Sequence, residues 1–244
     1  MQVDALAIHL RPRPMLEAAD LGVRLVQEHA RSVWRCLAPL WAACTLLMLS
    51  TTTIASWLPW AVLFMAKPWL DRSLLFVLSR AVFGEPTRFA DLWAARRQVW
   101  GTDLLRSLTV QRLSPWRAYT LPLRQLEGQR GEGARQRRVQ LLRGRRGVAA
   151  LVQVVYAHVE VVLVLALFAL GLLFMPDEHR GPLMQAFFSD DDLGMQLLSN
   201  GCYALVVLAL EPFHVASGFA LYLNRRVELE AWDIEQEFRH AFGG

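Results

Sequence analysis

The chain is almost without lysine: of its 26 basic residues only Lys67 is one, and the rest are arginine. Cysteine is equally sparse. Cys36, Cys44 and Cys202 all lie in or beside apolar runs, so no disulfide framework of a small secreted domain is available. Charge is scarce as well. Of 244 residues 20% are charged and 54% are hydrophobic, with a mean hydropathy of +0.26. Soluble domains average about 25% charged and about 45–50% apolar, so an ordinary soluble domain is excluded, and no sustained heptad supports a coiled coil. Signatures of chemistry are missing too. There is no Gly-rich phosphate loop, no Cys-x-x-Cys pair and no Gly-x-Ser-x-Gly elbow, which removes the motif-bearing nucleotide, thiol-redox and serine-hydrolase classes.

What the chain does have is long apolar stretches. A bilayer core of roughly 30 Å takes about 20 apolar residues in a helix. Residues 34–57, bracketed by Trp34 and Trp57, 149–175 and 201–223 each meet that length. Residues 58–84 are long enough but carry Lys67, Pro68, Asp71 and Arg72 inside. Topology argues for this segment. Fifteen arginines lie between Arg80 and Arg146, which marks that stretch as cytoplasmic by the positive-inside rule. Arg11, Arg13, Arg24 and Arg31 mark the N-terminal arm in the same way. Both can be inside only if 58–83 returns through the bilayer. The alternative is a re-entrant segment broken at Pro68.

The fold class is therefore all-α, a polytopic membrane protein with about four transmembrane helices and amphipathic cytoplasmic helices. It divides into a cytoplasmic helix in 1–33, a hairpin in 34–84, an Arg-rich cytoplasmic region in 85–148, a second hairpin in 149–223 and a cytoplasmic tail in 224–244. Residues 1–33 are of mixed polarity and precede the first apolar run, so no secretory signal is expected.

Outside the apolar runs, Leu16, Ala19, Val23, Val26, Ala30 and Val33 recur at helical spacing and predict one striped helix lying on the inner leaflet. Val227, Ala231, Ile234, Phe238 and Ala241 make a similar stripe in the tail. Residues 87–123 read as short helices broken at Gly101 and Ser114-Pro115, and 127–147 as a mobile Gly/Arg-rich stretch. Within it Arg135, Arg137, Arg138, Arg143, Arg145 and Arg146 cluster. The favoured reading is topogenic charge that also contacts anionic lipid headgroups. No aromatic residues interleave for base stacking, so nucleic acid is not an expected partner.

The most informative residues lie inside the apolar runs. At about 1.5 Å per residue, Glu160 lies about 15 Å from position 150, Glu211 about 15 Å from 201 and Lys67 about 13 Å from 58. Asp71 and Arg72 sit a turn further along. Each charge at mid-bilayer costs about 2.5–3.5 kcal/mol, so Lys67, Asp71, Arg72, Glu160 and Glu211 must pair, be neutralised or face water. Three acids against two cations leave one negative charge, which a proton or a charged His158 or His214 would balance. Lys67 and Asp71 are four apart and can meet. Interhelical ion pairing is the favoured role, a polar transport pathway the alternative. No metal or cofactor is expected. His158 and Glu160 point to opposite helix faces, and the Glu211/His214 pair lacks the further carboxylates of a di-iron site.

The C-terminal residues Asn224, Arg225, Arg226, Leu229, Glu230, Trp232, Asp233, Ile234 and Glu235 spell a box that resembles one closing a family of bacterial inner-membrane proteins. The segments 67–85 and 119–128 are similar to the same family. The membrane domain attached to some glycerophosphodiester phosphodiesterases shares this style of ending, without catalysis in that portion. The resemblance implies an inner-membrane location and no enzymatic site. Genes of this kind lie near MoxR-type ATPases and transglutaminase-like membrane proteins, which implies a subunit of an envelope complex and other membrane proteins as partners. Physically the box suits a membrane exit. Arg225 and Arg226 would anchor in headgroups, Trp232 at the interface, and Glu230 and Asp233 in the cytosol. The acidic side could instead pair with the Arg-rich region.

Overall fold

A computed structural model describes residues 13–101, 114–176, 178, 180–181 and 192–230. Among the described residues every regular element is a helix. Helix α1 spans Met15–Glu28, α2 Ala30–Ser50, α3 Leu58–Ala81, α4 Phe89–Ala94 and α5 Arg96–Trp100. Helix α6 spans Arg117–Gln125, α7 Gly131–Leu142, α8 Arg146–Leu173 and α9 Leu193–Glu230.

Three of these, α2, α8 and α9, are long and apolar enough to cross a membrane. Helix α3 has 24 residues, enough in length, but Lys67, Asp71, Arg72 and Arg80 take it out of the apolar class. It starts with Pro59 in its first turn, where a missing backbone donor is harmless. It then continues through Pro68 without the break that a re-entrant loop would need. Helix α9 likewise runs through Pro212. Its 38 residues reach about 56 Å, well beyond a hydrocarbon core.

Several boundaries differ from the sequence reading. The stretch 34–57 is not one helix. Helix α2 stops at Ser50 and residues 51–57 turn into α3. The Ser50 and Thr51 hydroxyls donate to the Leu47 and Met48 carbonyls at 2.8 and 2.7 Å, and such local bonds compete with helix continuation. The striped N-terminal helix is interrupted at His29, and its inward face follows the stripe only in part: Val26 and Val33 are buried. Met15, Ala18, Gly22, Leu25 and Val26 are buried, while Leu16 is 59% exposed. That face lies against α9. A Cβ on Gly22 would collide with the Ala216 backbone, so glycine sets how closely the two helices cross. The stretch 127–147 is largely helix α7 rather than mobile coil. Ala134, Leu141 and Leu142 are buried, and Gly131 and Gly144 flank the helix at positive φ, 58° and 71°, which glycine alone adopts without strain. The segment 103–113 and the tail stripe from Ala231 onward lie outside the described residues.

One apolar core joins these helices. Val26, Val33, Leu74, Leu78, Leu141 and Phe219 are buried in it. A smaller cluster of Met48, Leu63, Ala204 and Val207 closes the far end of the α2–α3 hairpin against α9. Trp41 bridges the same pair of elements, its indole N–H donating to the Ala204 carbonyl at 2.7 Å. In α8, by contrast, only Ala149 and Val152 are buried.

Candidate functional site: a charge network between the helices

Helices α3, α8 and α9 bring Lys67, Glu160 and Glu211 together. The Lys67 ammonium donates to both Glu160 oxygens at 2.9 Å and stands 3.3 Å from Glu211 Oε2. The common depth counted along three separate segments is therefore a contact. Lys67, Asp71, Arg72 and Glu211 are buried; the Glu160 side chain is 18% exposed. His214, one turn after Glu211, places Nδ1 3.1 Å from Glu211 Oε1 and Nε2 3.1 Å from the Gln153 side-chain oxygen. Its ring also lies 5.3 Å from that of Tyr156, whose hydroxyl meets Ser217 at 2.9 Å.

Asp71 meets a cation from another helix. It pairs with Arg117 of α6, Nε to Oδ2 at 3.5 Å, and the same guanidinium reaches Glu211 Oε1 at 3.3 Å. Arg117 is absent from the sequence-based set and changes its arithmetic. With Lys67, Arg72 and Arg117 against Asp71, Glu160 and Glu211 the formal charges balance without an added proton. What brings Arg117 in is Gly218. A Cβ there would stand 2.5 Å from the Ala118 Cβ, so only glycine lets α6 lie this close to α9. Glu211 and Gly218 are seven residues apart and share a face of α9.

His158 takes no part. Its ring is exposed and sits 2.9 Å from the Val154 carbonyl of its own helix, because two residues' separation from Glu160 rotates it to the opposite face. Arg72 lies on the other side of α3 from the ammonium cluster, and its carbonyl accepts from Gln125 Nε2 at 2.8 Å.

The network has open space beside it. A cavity of about 720 Å³ runs between α3, α8 and α9, lined by Lys67, Arg117, Glu160, Glu211 and His214 within. Trp60, Phe64, Val161 and Leu165 border it, and all four are at least 41% exposed. The charges thus pair with one another and also line a cavity. Among the described residues no cluster of three His, Cys, Asp or Glu could hold a metal ion.

The remaining arginines divide by partner. Arg137 pairs with Glu127 at 3.3 Å and with Glu230; Arg145 pairs with Glu228 at 3.0 Å. Arg138 donates to the Ser114 hydroxyl at 3.1 Å and lies over the Trp116 ring. Arg135 approaches only Glu132, at 3.6 Å, and is 78% exposed. Arg143 and Arg146 are exposed. In the C-terminal box, Arg225 pairs with Glu228 and Arg226 with Glu230, both at 2.6 Å. The acidic residues at the end of α9 thus join the Arg-rich region to the box instead of leaving both to solvent. Trp232 and Asp233 lie outside the described residues. Asn224 clasps the chain start, accepting from the Arg13 N–H and donating to the Arg13 carbonyl, both at 3.0 Å. Tyr119 of α6 donates to the Leu141 carbonyl at 2.9 Å, and burial pushes its phenol well above the ordinary value.

Compared with models of known protein families, with curated proteins and with solved structures, the chain finds no match.

Proposed function

We propose that the chain is an integral inner-membrane protein of four spans that serves as a non-enzymatic scaffold or subunit of a bacterial envelope complex, with both ends cytoplasmic. One observation carries the non-enzymatic part. Lys67, Arg117, Glu160, Glu211 and His214 each have a partner within the set, so the charges are engaged in joining α3, α6, α8 and α9. Truncating a buried pair strands a charge and costs about 3–5 kcal/mol, which suits a device that fixes helix packing.

Four crossings are supported by contacts at one end of the bundle. Arg13, Arg137 and Arg145 all touch residues 224–230. The chain start, α7 and the end of α9 therefore share a side, and an even number of crossings must separate them. Helices α2 and α3 supply the first pair, α8 and α9 the second. The arginine excess assigns that side to the cytoplasm, and the C-terminal likeness to inner-membrane proteins fits the same assignment. A partner is expected along α8, where none of the residues 161–173 is buried. Cross-linking in native membranes followed by purification in mild detergent tests the reading. A second membrane protein should co-purify in stoichiometric amount, and a chain recovered alone overturns it.

The cavity favours a second reading, a small transporter or channel component acting through Glu160 and Glu211. Proteoliposomes distinguish the two. Ion or solute flux that is lost in Glu160→Gln and Glu211→Gln supports transport, and flux that persists unchanged removes it.

A further inference from the structure

On the other side of Arg117 lies a second cavity, of about 550 Å³, between α3, α6 and α7. Its lining is unlike that of the first. Among the described residues Arg72, Arg117, Arg124, Arg130, Arg135 and Arg138 border it, with the acids Asp71 and Glu132. Three helices and the turn before α7 contribute these arginines, which are scattered over 67 positions of sequence between 72 and 138. They therefore meet only because the chain folds.

The cavity has a rigid floor and a polar wall. Gln125 pins α6 to α3 through the Arg72 carbonyl at 2.8 Å, and Arg117 is fixed by Asp71 and Glu211. Ser114 and Thr120 add hydroxyls to the lining. The outer wall is less engaged. Arg130 is exposed and has no acidic partner among the described residues. Arg138 contacts the Ser114 hydroxyl and the Trp116 ring. Arg135 and Glu132 are both largely exposed, so their 3.6 Å approach is heavily screened.

Like charges gathered around one concavity repel, and a ligand of opposite charge relieves that repulsion. Guanidinium groups present a planar fork of donors that matches the oxygens of a phosphate. We propose that this cavity binds a phosphate group carrying two negative charges, either on a soluble ion or as the exposed headgroup of a phosphomonoester lipid. Arg117, held by Asp71 and Glu211, would form the base of the site beside Arg72, and Arg130, Arg135 and Arg138 would close over the anion. The site uses a cavity separate from the one next to Glu160, and it does not depend on whether the chain works in a complex.

The test uses the full chain in phosphatidylcholine nanodiscs, titrated with inorganic phosphate by calorimetry. A second arm incorporates phosphatidic acid, with phosphatidylserine as the competitor, and follows the lipid retained by native mass spectrometry. The variant pair Arg130→Gln/Arg138→Gln should weaken the bound probe at least tenfold, the change that about 1.4 kcal/mol makes. The control pair Arg31→Gln/Arg35→Gln removes two exposed arginines elsewhere and should change it less than twofold. If replacing Arg138 compromises folding, seen as lost helical circular dichroism, Arg130→Gln/Arg135→Gln takes its place, since both side chains are exposed. Binding of phosphate that follows this pattern supports a soluble ligand. Selective retention of phosphatidic acid that follows it supports the lipid. The proposal is overturned if neither probe binds below about 1 mM, or if the pocket pair and the control pair weaken binding alike.

Discussion

Lys67 shows how much one residue can decide. A lone lysine in an apolar run has to find an acid, and it finds two, Glu160 and Glu211. Replacing it with methionine leaves the buried Glu211 and the partly buried Glu160 with one cation fewer. Lys67→Met should destabilise the protein by about 3–5 kcal/mol, measured as loss of helical circular dichroism on titration of detergent-solubilised protein with dodecyl sulfate. Glu160→Gln should cost less, because its amide can still accept from the ammonium and its side chain is partly exposed. A Lys67→Met variant as stable as the parent would dismiss the ion-pair account. Depth arithmetic made Lys67, Glu160 and Glu211 legible in the sequence because each falls near the middle of a long apolar segment. Arg117 was not legible. It is one of fifteen arginines between Arg80 and Arg146, and nothing in its immediate neighbours separates it from those that face water. Its burial depends on a glycine a hundred residues away.

That glycine belongs to the scale of elements, where the crossings are set. Helix α6 rests on Gly218 of α9, and α1 meets α9 through its own Gly22. Gly218→Ala puts a methyl group against Ala118 and should cost about 1–3 kcal/mol. Because the shift moves Arg117 off Glu211, its effect should be non-additive with Arg117→Gln, which a double-mutant cycle on unfolding free energies would show. Additivity would mean that the close approach and the ion pair are independent. The small residues Ala216, Gly218 and Ala220 could be read from the sequence, but not which helix packs on which of them. Helix α7 was missed for a related reason. Its Arg- and Gly-rich composition reads as coil, and what orders it comes from elsewhere in the chain: Tyr119 on the Leu141 carbonyl, and Glu127 and Glu230 on Arg137. Glu127 also accepts from the Tyr222 hydroxyl at 2.5 Å. Glu127→Gln should therefore raise amide exchange across α7 by about tenfold or more, as expected if a locally opening segment loses a charge-assisted bond, while α9 exchange stays unchanged. Unaltered exchange in α7 would show that apolar contacts alone hold it.

At the scale of the whole molecule, charge placement and contacts support the proposed topology by separate routes. The positive-inside argument uses the number of arginines in each loop. The contact argument uses Asn224 on Arg13, Glu228 on Arg145 and Glu230 on Arg137, and would stand if those arginines were lysines. Both require α3 to cross despite its four charged residues, and the network explains how it can. Lys67 and Asp71 meet counter-charges on α8, α9 and α6, so in the proposed four-span topology α3 would cross as an inner element of the bundle. Accessibility labelling checks this directly. In a background with Cys36, Cys44 and Cys202 replaced by alanine, single cysteines can be placed at the exposed positions Glu28, Thr53 and Glu132. An impermeant maleimide should label Thr53→Cys in right-side-out vesicles, and Glu28→Cys and Glu132→Cys only in inverted ones. If α3 does not cross, Glu28→Cys and Glu132→Cys react from opposite sides. The clasp between Arg13 and Asn224 could not then form in the membrane, and a cross-link between cysteines at those two positions would fail along with it.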